Sequence, residues 1–287
     1  MRLASWVVGD RSTWGAVCAD GSLIAYNDAD TQAVDIKALL TPRGLADIAA
    51  RIATKTPVDR VSEVRLLSPI PRPGKILCVG VNYPDRNAEY KDGSETPKYP
   101  SLFVRFPGSL IGHNEPLIRP KVSEQFDYEG EIVIVIGKGG RHIAAEDARA
   151  AIAGLTLMNE GSVRDWIRHG KFNVTQGKNF DSSGAIGPWM VTLDEAGPLD
   201  ALELVTRVNG EERQRGNTGT LAFPFAHIVE YVSTFTTLEP GDLIATGTPT
   251  GAGARFSPPK WLKPGDVVEV ECPDIGTLRN VVEDERA

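Results

Sequence analysis

Apolar residues along this chain recur mostly at strand-like spacing, in short stretches separated by turn-forming residues. Strands are predicted around 6–8 and 23–26, then at 75–80, 101–106, 131–136, 155–158, 186–191, 202–208, 243–246 and 267–272. Helical spacing is rarer and predicts helices over 44–52, 144–153, 162–169 and 225–235. Asn209-Gly210 is a dipeptide that favours a tight hairpin turn. The stretch Ser68-Pro-Ile-Pro-Arg-Pro-Gly74 locks extended backbone and excludes helix, which marks it as a linker. The expectation is an α+β, mainly β protein, with a small N-terminal α/β domain over 1–70 and a larger domain over 71–287. No solenoid-length repeat or low-complexity tract is present.

The sharpest chemical feature is Phe126-Asp-Tyr-Glu-Gly-Glu131, which runs directly into the apolar segment 132–136. Side chains alternate across a strand, so Glu129 and Glu131 fall on one face, a few ångströms apart, beside a segment bound for the core. Their repulsion is relieved if one is protonated or if a cation sits between them. A solvated strand end is the plain alternative. A third carboxylate, Glu160, follows the strand-like 155–158 at a corner where Ser162 is placed to cap the next helix. Three carboxylates without His or Cys form an all-oxygen donor set, suited to Mg²⁺, Mn²⁺ or Ca²⁺ rather than Zn²⁺.

Composition narrows the field. The 287 residues suffice for a sizeable core, and 41% hydrophobic with 24% charged residues is ordinary for a folded, soluble protein. A net charge of −7 without a basic stripe argues against nucleic acid as a partner. No apolar run reaches membrane-span length, and the start lacks a secretory h-region, so a cytoplasmic protein without membrane association is expected. Cys18, Cys78 and Cys272 show no metal-binding or disulfide spacing and are expected to be buried structural thiols.

The ordered motifs Gly80-Val-Asn-Tyr83, Tyr128-Glu-Gly-Glu131, Asn159-Glu-Gly-Ser-Val-Arg-Asp-Trp166, Gly177-Lys-Asn-Phe180, Gly187-Pro-Trp189, Ala245-Thr-Gly-Thr-Pro249 and Leu262-Lys-Pro-Gly-Asp266 resemble the fumarylacetoacetate hydrolase family over residues 75–282. The resemblance implies a β-roll catalytic domain, Mg²⁺ or Mn²⁺, a homodimer, and a small acidic substrate: an acylpyruvate, oxaloacetate or a hydroxymuconate-type diene. The implied chemistry is C–C hydrolysis or decarboxylation, as in aromatic or keto-acid catabolism, with isomerisation or hydration of a dienoate as the alternative. A binding protein that has lost turnover is a further alternative. Carried over by position, Glu129, Glu131 and Glu160 are the implied metal ligands. Arg164, Lys178 and Glu89 are the implied catalytic groups, and Tyr83, Arg86, Arg105 and Thr248 the implied substrate contacts.

Three positions depart from the family pattern. Glu160 stands where Asp is usual, which keeps the charge and donor type and adds a methylene. Ile167 replaces a frequent Gln and removes one polar contact. Arg86 stands where hydrolytic relatives carry a His on a flexible lid, three residues before the acid Glu89. A guanidinium stays protonated near neutral pH, so a His–Glu pair that activates water is absent in its usual form. Arg86 could instead clamp a second substrate carboxylate, leaving Glu89 to move protons. Of the four histidines, His113, His142 and His227 are expected to be structural or exposed. His169, five residues past Arg164, would point away from it on a helix. Asp165 is expected to support the local fold and to help orient Arg164.

Overall fold

A computed structural model describes residues 1–27, 35–90, 97–170 and 173–286. Its largest element is a twelve-stranded mixed sheet. At its centre Ile152–Asn159 lies between Gly184–Thr192 and Gly130–Ile136. Beyond Gly130–Ile136 come Leu243–Ala245, Ile76–Val79 and Leu102–Val104, and beyond Gly184–Thr192 come Arg2–Val8, Arg11–Val17 and Ser22–Ala25. The N-terminal strands thus extend the same sheet, through pairing of Arg2 with Val191 and Leu3 with Met190. A five-stranded sheet that contains Glu203–Val208, Glu211–Asn217, Val267–Cys272 and Gly276–Asp284 covers one face. The fold is mainly β, as the sequence pattern predicts.

The unbroken apolar run 132–136 is explained by burial on both faces. Ile132, Ile134 and Ile136 join the core shared with Leu204, Val268 and Val270 of the smaller sheet. Val133 and Val135 face the opposite core, where Ile48 and Ile52 of the Pro42–Ile52 helix pack. That helix opens with Thr41, whose hydroxyl accepts from Gly44 N at 3.2 Å. The expected hairpin joins Glu203–Val208 to Glu211–Asn217, with Asn209 and Gly210 at φ 53° and 78°.

Two helical expectations are overturned in part. Over 144–153 only a short turn and the helix Ala148–Ala151 form, because Ile152 and Ala153 are buried in the central strand and pairing overrides local propensity. Over 162–169 the helix is confined to Arg164–Ile167, since Ser162 and Val163 pair with Asp127 and Phe126 and must be extended. Ser162 therefore does not cap it: its hydroxyl donates to Glu160 O at 3.0 Å. The stretch expected as a lid loop forms the helix Pro84–Tyr90. Cys78 and Cys272 are buried, whereas Cys18 is only half-buried. No helix among the described residues is long and apolar enough to cross a membrane.

His113 is half-buried, and its Nδ1 accepts from Arg279 N at 3.1 Å. Burial, with Arg279 nearby, pushes its pKa down to about 4 from 6.5. The unfolded chain therefore takes up a proton that the native state refuses between those values, and stability falls as pH drops through this window, levelling off below it. Replacing His113 by Gln is expected to flatten the stability profile between about pH 4 and about pH 6.5. Urea melts across that range check this, and an unchanged slope would assign the acid sensitivity elsewhere.

Candidate active site

The three implied ligands converge at one end of the central strands. Glu131 lies in Gly130–Ile136, Glu129 just precedes that strand, and Glu160 follows Ile152–Asn159. Backbone bonds staple the two chain segments: Glu160 N donates to Glu129 O at 2.7 Å, and Glu129 N donates to Asn159 Oδ1 at 3.1 Å. All three side chains are buried, and one carboxylate oxygen from each lies within 4.8 Å of the others. The glycine between Glu129 and Glu131 is required by packing, since a Cβ at Gly130 would stand 2.0 Å from Thr206 Oγ1 of the facing sheet.

Glu129 is gripped by three cations. Its Oε1 accepts from Arg86 Nη2 and Arg164 Nη2, each at 2.7 Å, and its Oε2 accepts from Lys178 Nζ at 2.5 Å. Lys178 also donates to Glu160 Oε2 at 2.9 Å. Arg86 Nη1 bonds Glu89 Oε2 at 2.8 Å, and Glu89 Oε1 accepts from Gly251 N at 2.8 Å. Arg164 is held by Asp127, whose Oδ2 accepts from its Nε at 2.7 Å. The expected orienting role of Asp165 thus falls to Asp127, while Asp165 accepts from Ser123 Oγ at 2.6 Å and secures the local turn.

These partners drive the neighbouring carboxyls apart. Burial disfavours the charge on Glu129, but Arg164, Lys178 and Arg86 outweigh it and hold the carboxyl well below its ordinary range. Glu131 is pushed well above that range by burial, Glu160 and Glu129, against the opposition of Gly247 N, bonded to it at 2.8 Å, and of Lys178 nearby. Burial pulls Lys178 down, yet Glu129 and Glu160 leave it raised, so its ammonium stays charged.

A cavity of about 890 Å³ opens onto this cluster. Arg86, Glu129, Arg164 and Lys178 line it, together with Ile167, Arg168, Arg255 and Trp261. Glu89, bonded to Arg86, and the buried Glu131 and Glu160 adjoin this lining without forming part of it. Tyr83, Arg105 and Thr248 are also buried off the wall. Arg105 donates to Ser109 Oγ and to Gly161 O, next to Glu160. Thr248 Oγ1 accepts from Gln214 Nε2 at 2.8 Å, while Gln214 Oε1 accepts from Gly130 N. His169 stacks at a tilt on Trp166, outside the carboxylate cluster.

Sequence reasoning gave no role to Asp127 or Gln214. The period-2 argument that groups Glu129 with Glu131 extends to Asp127 and could have found it. Gln214 sits on a strand of the other sheet, with no local signal.

Whether the donors suit a hard cation can be judged from the cluster itself. The set is entirely oxygen, and Glu160 Oε1 is buried, 3.9 Å from Arg105 Nη1, and accepts no hydrogen bond among the described residues. Glu131 is disfavoured as an anion without added positive charge. Both observations fit a divalent cation.

The buried oxygen donors and the cation-lined cavity form a candidate site for a small molecule. The family model for the fumarylacetoacetate (FAA) hydrolase C-terminal region matches residues 75–283, and the chain belongs to that family of enzymes. It is 41% identical over 233 residues to human "Oxaloacetate tautomerase FAHD2A, mitochondrial", covering 80% of this chain and 73% of that protein. It is 40% identical over 225 residues to "Oxaloacetate tautomerase YisK" of Bacillus subtilis, covering 77% and 74%. The crystal structure of 2-hydroxyhepta-2,4-diene-1,7-dioate isomerase from Mycobacterium marinum superposes with a TM-score of 0.75 at 30% identity, covering 100% of both chains.

Asp127 also accepts from Tyr128 N, Gly253 N and Ala254 N. Asp127→Ala would strand these donors and remove one of the two carboxylates that hold the half-buried Arg164 guanidinium. It is expected to cost about 3–5 kcal/mol, seen as a lower denaturation midpoint at unchanged m-value.

Proposed function

We propose that the protein is a divalent-metal-dependent isomerase that interconverts the enol and keto forms of an oxaloacetate-type keto acid, in preference to hydrolysing a C–C bond. Arg86 carries this reading. It is 1% exposed and bonded to both Glu89 and Glu129, at the position where a hydrolytic lid would need a neutral base to activate water. The names of the human and Bacillus relatives support the same reaction class.

Glu129, Glu131 and Glu160 would hold the cation, and Mg²⁺ or Mn²⁺ bound there supplies Lewis acidity toward a 2-oxo oxygen. Arg164 spends its Nε and one Nη2 hydrogen on Asp127 and Glu129, which leaves Nη1 to fork onto a substrate carboxylate. Lys178 uses two donors on Glu129 and Glu160 and presents the third to an oxygen that gains negative charge. Asp127 accepts four hydrogen bonds and has no lone pair left for proton transfer. Glu89 accepts two, and is the carboxylate assigned to carry the proton. It would take the C3 proton of the keto acid and, as the carboxylic acid so formed, give that proton to the enolate oxygen. No water is consumed and no C–C bond breaks.

The test follows ultraviolet loss of enol-oxaloacetate with Mg²⁺ and with EDTA, together with product analysis. Glu89→Gln is expected to lower kcat about 100-fold with KM changed by less than about threefold. Pyruvate released by the wild-type protein at the rate of enol loss would replace isomerisation with decarboxylation.

A further inference from the structure

Three cations at the inner end of the cavity are paired with carboxylates, and Arg168 among its other lining residues has no ion pair among the described residues. Arg86, Arg164 and Lys178 share Glu129, with Glu89, Asp127 and Glu160 as further partners. Arg168 lines the same cavity and is exposed. Its guanidinium makes no ion pair or hydrogen bond among the described residues. It closes the Arg164–Ile167 helix in helical backbone conformation, four residues after Arg164. The two arginines therefore rise from one side of the helix, separated by about 6 Å along its axis. Apolar Leu102, Ile167, Val174 and Trp261 line the same cavity and suit a methylene chain. Its volume of about 890 Å³ is near the upper end of small-molecule pockets, far more than a four-carbon acid occupies.

We infer that Arg168 is a specificity-determining anchor for the distal carboxylate of a keto diacid longer than four carbons. This rests on the keto-acid reading above: the 2-oxo acid end lies at Arg164 and Lys178, and the chain runs outward along the apolar residues. Arg168 touches the far end of the ligand and takes no part in proton transfer.

The test measures calorimetric binding of 2-oxoadipate and 2-oxohexanoate, of equal length with and without the distal carboxylate, to the full chain in Mg²⁺. The wild-type protein is expected to bind the diacid about tenfold more tightly. Arg168→Gln should reduce that preference to under about threefold, with 2-oxohexanoate affinity unchanged, and Arg168→Lys should keep part of it. Equal affinity of the wild-type protein for the two acids overturns the anchor alone, as does a preference that survives in Arg168→Gln. Failure of both acids to bind overturns the anchor together with the keto-acid reading.

Discussion

The site is organised around a single buried carboxylate, Glu129, held by Arg86, Arg164 and Lys178. A lone charge at 4% exposure would be costly, and three cations packed around nothing would be costlier still. Together they form a network whose members come from distant parts of the chain: the helix Pro84–Tyr90, the strand entry at Glu129, the short helix Arg164–Ile167 and the turn that ends at Lys178. Each cation also has a second carboxylate, Glu89, Asp127 or Glu160, so the network fixes the cavity wall as well as its charge.

The same network creates an asymmetry between neighbouring carboxyls. Glu129 is driven toward ionisation by its cations, and Glu131, two residues on, is driven away from it by burial and by two neighbouring carboxyls. A divalent cation held there would resolve the conflict at Glu131. It would also give a ligand to Glu160 Oε1, which accepts no hydrogen bond among the described residues. The other oxygen of Glu160 accepts from Lys178 and joins Glu160 to the cation network.

Much of this was legible in the sequence because alternation along a strand is a local signal. The run that begins at Glu131 gave both the two-sided core and the pairing of Glu129 with Glu131. Ordered motifs marked Arg164 and Lys178, which line the cavity with Arg86 and Glu129. What was misread depends on long-range pairing. Ser162 looks like a helix cap until Asp127 is placed opposite it, and 152–153 look helical until the central sheet claims them. Gln214 and the holding of Arg164 by Asp127 come from contacts 34 and 37 residues apart, for which local sequence carries no spacing rule.

The central claim is that the three buried glutamates form one cation site, and its most direct test is titration of the metal-free full chain with Mn²⁺, followed by paramagnetic relaxation of water protons. The account predicts one saturable site per chain that Glu131→Ala abolishes. Absence of a saturable site, or a site of unchanged affinity in Glu131→Ala, would contradict it.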